Sequence, residues 1–190
     1  MQSPADEIPG VVKALVEAPT PDDQRAALQR YFSPDASFDH MLCAVASGPQ
    51  SRDNGVLPIY YWLRIMSNSS IRIDSVAFDQ RKNKAYVDAA QTLRPNLFPF
   101  SLYTPTARIL VVLSLHKGAD GLFYVHRQED FYEPQVIPGQ VIPGGHTVVL
   151  AIKLLIGVNC LVLAWIVQTF LGFWRPSKRG IKGGKLVNGR

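Results

Sequence analysis

Cysteine is scarce in this chain. Cys43 and Cys160 are the whole supply, and the second lies inside an apolar run, so no disulfide framework exists. That fits a reducing compartment. The four histidines (40, 116, 126, 146) are scattered, and none stands with cysteines at ligand spacing, so no metal site is expected. No glycine-rich loop follows a strand to cradle phosphate, and no Gly-x-Ser-x-Gly element is present, so no motif identifies an enzyme and no cofactor is expected. Acidic residues are missing from the C-terminal segment. All 15 lie before residue 134, whereas six of the 20 bases (Arg175, Lys178, Arg179, Lys182, Lys185, Arg190) fall in the last 16 residues. Residues 1–145 carry 13 bases against 15 acids, a net of −2. A slightly acidic domain has no electrostatic footprint for nucleic acid. The opening MQSPADEIPG lacks the basic and apolar regions of a secretory signal, so none is expected.

What is present is a long hydrophobic run. Leu154 to Trp174 is 21 residues without a formal charge. At about 1.5 Å per residue it spans roughly 31 Å, the thickness of a bilayer's hydrocarbon core. Trp174 stands where interfacial aromatics gather, and Arg175 ends the run. The pattern predicts a single transmembrane helix over 147–174, a lipid bilayer as partner, and a tail-anchored chain. A domain is expected over 1–134, a Pro/Gly linker (the tandem QVIPG/QVIPGG) over 135–146, and a basic tail over 175–190.

Within the domain, Ile8, Val11, Val12, Leu15 and Val16 recur at helical spacing, predicting a first helix over Ile8–Ala18. Thr20-Pro21-Asp22-Asp23 is a strong start signal for a second, with Ala27, Leu28, Tyr31 and Phe32 inward. Ala36 to Cys43 reads as a strand and Gly48 to Gly55 as a polar loop. A third helix is expected from Leu57, with Ile59, Trp62, Leu63 and Met66 inward. Strands follow over 71–79, 84–93, 108–116 and 122–132. The stretch Arg108 to His116 is nearly all apolar and is expected to be buried on both faces. The fold class is α+β: a cone-shaped, curved antiparallel sheet packed on N-terminal helices, plus one C-terminal transmembrane helix.

Helices, a strand, a helix and four long strands, with RYFSPDASFDHM where a helix ends in an aromatic and a strand begins, resemble the nuclear transport factor 2-like superfamily. The likeness is to its ketosteroid isomerase and SnoaL-type members and covers about residues 8–133. The fungal SigF-like domains with a membrane segment are similar in overall design. The resemblance implies a bent sheet wrapped over helices around a pocket. It places the isomerase base at His40, but Leu15 at the phenol donor and Val112 at the protonated acid. Each such lost donor is worth on the order of 3 kcal/mol of barrier, so a ketosteroid isomerase is not expected.

His40 remains the best catalytic candidate. Asp39 is adjacent on the strand and points the other way, which leaves Asp88, or His126 and Asp130, as partners for it. On strict alternation His126 and Asp130 share a face with Tyr124 and Tyr132, while Phe123, Val125, Arg127, Glu129 and Phe131 take the other; Arg127 and Glu129 are expected to pair. The resemblance also puts Phe32, Phe38, Tyr60, Trp62, Tyr86 and Tyr124 beside His40 as ligand-binding residues. The loop 95–105, with Phe98 and Phe100, folds over the pocket, touches lipid or packs on its own sheet. The function expected is binding or presentation of an apolar small molecule (a lipid, sterol or similar) at a membrane surface. The alternatives are an isomerase or cyclase with His40 as base, and a scaffold that recruits a protein or forms a homodimer through its sheet. The chain is expected in the endoplasmic reticulum or another organelle membrane, its domain in the cytosol.

Overall fold

The computed structural model describes residues 1–97, 102, 104–132 and 144–172. Its contacts divide the chain into two compact units, Met1–His146 and Thr147–Arg190. In the first, α1 (Pro4–Val16) has proline in its first turn and buries Ile8, Val11, Val12 and Leu15 along one stripe. Helix α2 (Pro21–Tyr31) starts as its sequence predicts: the Thr20 hydroxyl accepts the Asp23 N–H at 3.1 Å. Strand β1 (Phe32–His40) follows without a loop. A turn at Met41-Leu42 leads to the short β2 (Cys43–Val45).

The stretch expected as a polar loop contains a turn of π-helix, Arg52–Val56, running straight into α3 (Leu57–Met66). Arg52 holds it, with its guanidinium 2.8 Å from the Asp53 carboxylate and 3.1 Å from the Phe32 carbonyl. Strands β3 (Ser70–Asp79), β4 (Lys84–Thr92), β5 (Thr106–Lys117) and β6 (Phe123–Tyr132) complete the sheet in the order β2-β1-β6-β5-β4-β3. The β5–β6 turn carries Gly121 at φ 79, a conformation that costs glycine little. The pairings from β3 to β6 are antiparallel, and so is β1–β2. The parallel exception joins β1 to β6, between which the chain is long enough for the crossover a parallel pair needs.

Two expectations for the sheet are corrected. In β5, Leu110 is exposed while Ile109 and Val111 are buried, so the first half of that strand has one open face. In β6 the register passes from Ser114 opposite Arg127 to Leu115 opposite Val125, which leaves His126 as an extra residue. A one-residue bulge reverses side-chain parity. Val125 therefore shares the concave face with Gln128, Asp130 and Tyr132, and His126 is parted from Asp130. The core lies between that concave face and α1, with Leu28, Phe32, Val87, Leu113 and Val125 almost wholly buried.

In the second unit the dominant element is α4 (Gly145–Ile166), continued by a π-helical turn over Val167–Leu171. Together they span 27 residues, Gly145–Leu171, about 40 Å of helix, with an 18-residue stretch of mean hydropathy 2.4. This helix is long and apolar enough to cross a membrane. Its start at Gly145 falls inside the stretch expected as linker. The rest of that linker (135–143), the basic tail, and Phe98 and Phe100 of the 95–105 loop lie outside the described residues.

Candidate functional site

The cone encloses a cavity of about 340 Å³. Helix α1 lines one side of it with Val11, Val12, Leu15 and Val16, as its helical period dictates. The sheet supplies Ile71, Ile109, Val111 and Leu113, and α3 supplies Ile59, Tyr60, Trp62 and Leu63. Among the described residues the polar side chains come from β1, β6 and, across β5, β4: His40, Gln91, Gln128, Asp130 and Tyr132, faced by Tyr60, with Cys43 of β2 beside them.

These polar groups form two short hydrogen-bonded chains. The Tyr60 hydroxyl donates to Gln128 Oε1 at 2.8 Å, and Gln128 Nε2 donates to Asp130 Oδ1 at 2.9 Å. The Tyr132 hydroxyl donates to Gln91 Oε1 at 2.8 Å. His40 is the register partner of Asp130 across the parallel β1–β6 pair. Its ring lies 5.1 Å from that of Tyr132, edge to face, and stacks on Phe38 at 6.2 Å. His40 Nδ1 accepts the Leu42 N–H at 3.1 Å, so the neutral ring carries its proton on Nε2.

Among the described residues, neither arginine nor lysine lines this cavity. Burial accordingly pushes the Asp130 carboxyl up to about 7, although the Gln128 amide draws it part of the way back. Burial also pushes the Tyr60 and Tyr132 phenols up, with the Asp130 charge adding to the effect in both. It pushes His40 down, against the opposing pull of the Asp39 charge. Near neutral pH the site is thus a set of uncharged donors and acceptors around one partly ionised carboxyl, Asp130, at one end of an apolar chamber. It can hold one polar head by hydrogen bonds, and the Asp130 carboxyl is poised to gain or lose a proton there.

Of the residues the sequence proposed, Phe32, Phe38, His40, Tyr60 and Trp62 line the cavity. Tyr86 does not: it is exposed on the convex face, opposite Val112. Tyr124 does not either; its hydroxyl hydrogen-bonds to Asp120 in the β5–β6 turn. Among the partners considered for His40, Asp88 is tied to Arg108 at 2.9 Å away from the cavity, and His126 lies beside His116 with ring centroids 5.6 Å apart. Asp130 is the one that the cavity brings beside it. Arg127 and Glu129 do pair, at 2.9 Å. Gln91 and Gln128 went unread as site residues. The signal for Gln128 was present, since Gln128, Asp130 and Tyr132 alternate at the period of a strand face.

A bent sheet closed over helices around an apolar chamber is the architecture of the nuclear transport factor 2-like superfamily. The chain belongs to the SigF NTF2-like domain family, whose profile matches residues 1–173 and so takes in α4 as well as the cone. Three solved structures share the fold at low identity. A protein with a ketosteroid isomerase-like fold from Catenulispora acidiphila, in complex with trimethylamine, gives a TM-score of 0.54 at 14% identity over 70% of this chain and 91% of its own. A protein provisionally described as a polyketide cyclase, from Xanthomonas campestris, gives 0.55 at 16% identity over 74% and 100%. TsrD from Streptomyces laurentii gives 0.52 at 14% identity over 71% and 92%. No curated protein matches the chain in sequence.

Proposed function

We propose that this protein is a membrane-anchored domain that binds an apolar small molecule bearing one polar group, such as a lipid or sterol, and presents it at a membrane surface. The observation that carries this reading is the cavity. At about 340 Å³ it lies within the range of small-molecule sites, roughly 300–1,000 Å³. Its walls are apolar and its polar groups are gathered at one end. A cone serving only as a scaffold has no use for a chamber of that size, because interiors otherwise pack as densely as organic crystals. The trimethylamine complex of the Catenulispora protein supports the reading, as a case of this cone fold holding a small molecule. Helix α4 is the anchor, the domain is cytosolic, and the membrane is that of the endoplasmic reticulum or another organelle. A homodimer, if formed, would use the convex sheet face, where Tyr86, Leu110 and Phe131 are exposed.

The full chain, purified in detergent and extracted into organic solvent for mass spectrometry, is expected to release a co-purified amphiphile. Val111→Trp puts an indole into the chamber and should lower its yield about tenfold, a loss of roughly 1.4 kcal/mol of binding. Equal yields from two folded proteins, compared by circular dichroism, would remove the cavity from the account.

A second reading is an isomerase or cyclase, which the Xanthomonas relative's description supports. Asp130, held near 7 across from His40, favours it in this chain. The groups the fold analogy would require as oxyanion donors do not: Leu15 lines the cavity as an apolar residue, and Val112 is not among the lining residues. Conversion of the co-purified molecule during prolonged incubation, abolished in Asp130→Asn, would decide for the enzyme.

Topology has its own reporter. The sequon Asn68-Ser69-Ser70 follows α3, and Asn68 is exposed. A cytosolic domain does not meet the glycosylation machinery, so the chain expressed in eukaryotic cells is expected to carry no glycan there. A glycosidase-sensitive mobility shift, lost in Asn68→Gln, would put the domain in the lumen.

A further inference from the structure

The mouth of the cavity is rimmed by large apolar side chains that packing does not account for. Leu42, in the β1–β2 turn, and Trp62, on α3, both line the cavity, yet they are 70% and 61% exposed. Met41 is exposed beside Leu42, and Ile65, 64% exposed, and Met66 follow Trp62 toward the end of α3. Exposed Leu97 comes from the segment after β4, which is fastened to that same helix end. The Asn96 side chain donates to the Ile65 carbonyl at 3.0 Å, and its N–H to the Met66 carbonyl at 2.9 Å. Neither α3 nor the Met41-Leu42 turn contains a carboxylate, and α3 contributes Arg64. Large apolar side chains left exposed together on the turn, the helix and the segment fastened to it mark an interaction surface.

The route of the chain names the partner. Tyr132, the last residue of β6, lines the same cavity, and its ring lies 5.1 Å from that of His40, two residues before Leu42. The chain therefore leaves the domain at the mouth. Twelve residues, 133–144, separate Tyr132 from the start of α4 at Gly145. Even fully extended they reach only about 40 Å. A bilayer crossed by α4 is then the one surface always within reach of the rim, at high effective concentration. Tryptophan beside leucine, isoleucine and methionine, with Arg64 on the same helix, suits the interface between headgroups and acyl chains, while the carboxylates of Asp39 and Glu129 stand on the Met41 side of the turn.

We propose that the rim docks on the lipid bilayer, with Leu42, Trp62 and Ile65 inserted, so that the cavity opens into the membrane and takes its occupant from the lipid phase. This rests on reading α4 as a membrane anchor. It goes further in fixing which end of the cone meets the lipid.

The chain's three tryptophans make the test direct. In the full chain carrying Trp165→Phe and Trp174→Phe, Trp62 is the only tryptophan left. This protein is reconstituted into phosphatidylcholine vesicles with and without lipids brominated near the top of the acyl chains. Interfacial insertion reaches about 5–10 Å, so brominated lipid is expected to remove roughly half or more of the Trp62 emission. Adding Leu42→Glu and Ile65→Glu, both at exposed positions, is expected to abolish most of that quenching. Protein that floats with the vesicles while its Trp62 emission ignores bromine overturns the docking and leaves the anchor standing. Protein that fails to float overturns the anchor and the docking with it. Quenching that persists when Val111→Phe, which narrows the chamber without adding an indole, is introduced supports docking by the rim itself.

Discussion

At pH 8, Asp130→Asn is expected to raise the thermal midpoint of the domain, while at pH 4 the two proteins should melt together. Burial pushes the Asp130 carboxyl up to about 7 in the folded chain, against about 3.9 for an unfolded aspartate. Between those values the folded state keeps a proton that the unfolded state has released, so its stability falls as pH rises through that window and levels off above it. A shift of about three units corresponds to about 4 kcal/mol, and a gain of about 2–4 kcal/mol for the variant above pH 7 is expected. Asparagine keeps an oxygen for the Gln128 amide and carries no charge to desolvate. The titratable groups that line the cavity with Asp130 are His40, Cys43, Tyr60 and Tyr132, and Asp39 and Glu129 border a shallow pocket beside it. The phenols and the thiol are pushed upward, chiefly by burial, and stay protonated. His40 is pushed down, chiefly by burial, so its own contribution rises with pH through the window below 6.5, opposite in sign to that of Asp130. The readout is therefore the difference between variant and parent at each pH, from thermal melts of the full chain in detergent. Parallel curves from pH 4 to 8 would mean that the carboxyl is solvated and the chamber polar.

The parts of the fold that were legible in the sequence are those where one physical rule acts alone. Helix α1 shows its buried stripe at i, i+3, i+4 and i+7, and α2 announces itself through Thr20 and Pro21. The four strands from β3 to β6 show as apolar or alternating runs between turns. The site was half legible. Phe32, Phe38, His40, Tyr60 and Trp62 reach the cavity because the superfamily resemblance assigned their elements to its wall. Tyr86 was misplaced by ring count: its neighbours Ala85 and Val87 are the buried face of β4, and alternation sends Tyr86 outward. His126 was put on the face of Asp130, and Val125 on the other, because of the extra residue at His126, which no alternation rule can locate. Trp62 was read as a core residue from helical spacing. It does point to the chamber, but at its mouth, where a large ring is left mostly uncovered. Periodicity reports direction; only the fold reports how much lies beyond.

Gln24 is where polarity misleads most, and its replacement is expected to have the largest effect on packing. Glutamine is a residue type usually exposed, yet Gln24, four residues before Leu28 and on the same helix face, is 1% exposed. Its amide nitrogen donates to the Leu15 carbonyl at 2.6 Å and to the Tyr60 carbonyl at 3.3 Å, tying α2 to α1 and α3 at once. The Leu15 carbonyl needs that donor. It lies in the last turn of α1, and the residue four positions on is Pro19, which has no N–H to give. Gln24→Leu keeps the bulk and removes both bonds, leaving a helix-end carbonyl buried without this partner, at a cost of about 2–3 kcal/mol. The loss should reach the site as well. Tyr60 is the residue whose carbonyl Gln24 holds and whose hydroxyl orders Gln128, and Gln128 in turn orders Asp130. A variant that melts lower but keeps its co-purified amphiphile would separate the helix tie from the polar end of the cavity. One that melts with the parent would show that the buried amide contributes nothing, and that Leu15 finds its donor elsewhere. The expected result is a lower midpoint and a lower occupancy together, because the bond that closes α1 also fixes the helix from which Tyr60 reaches across the chamber.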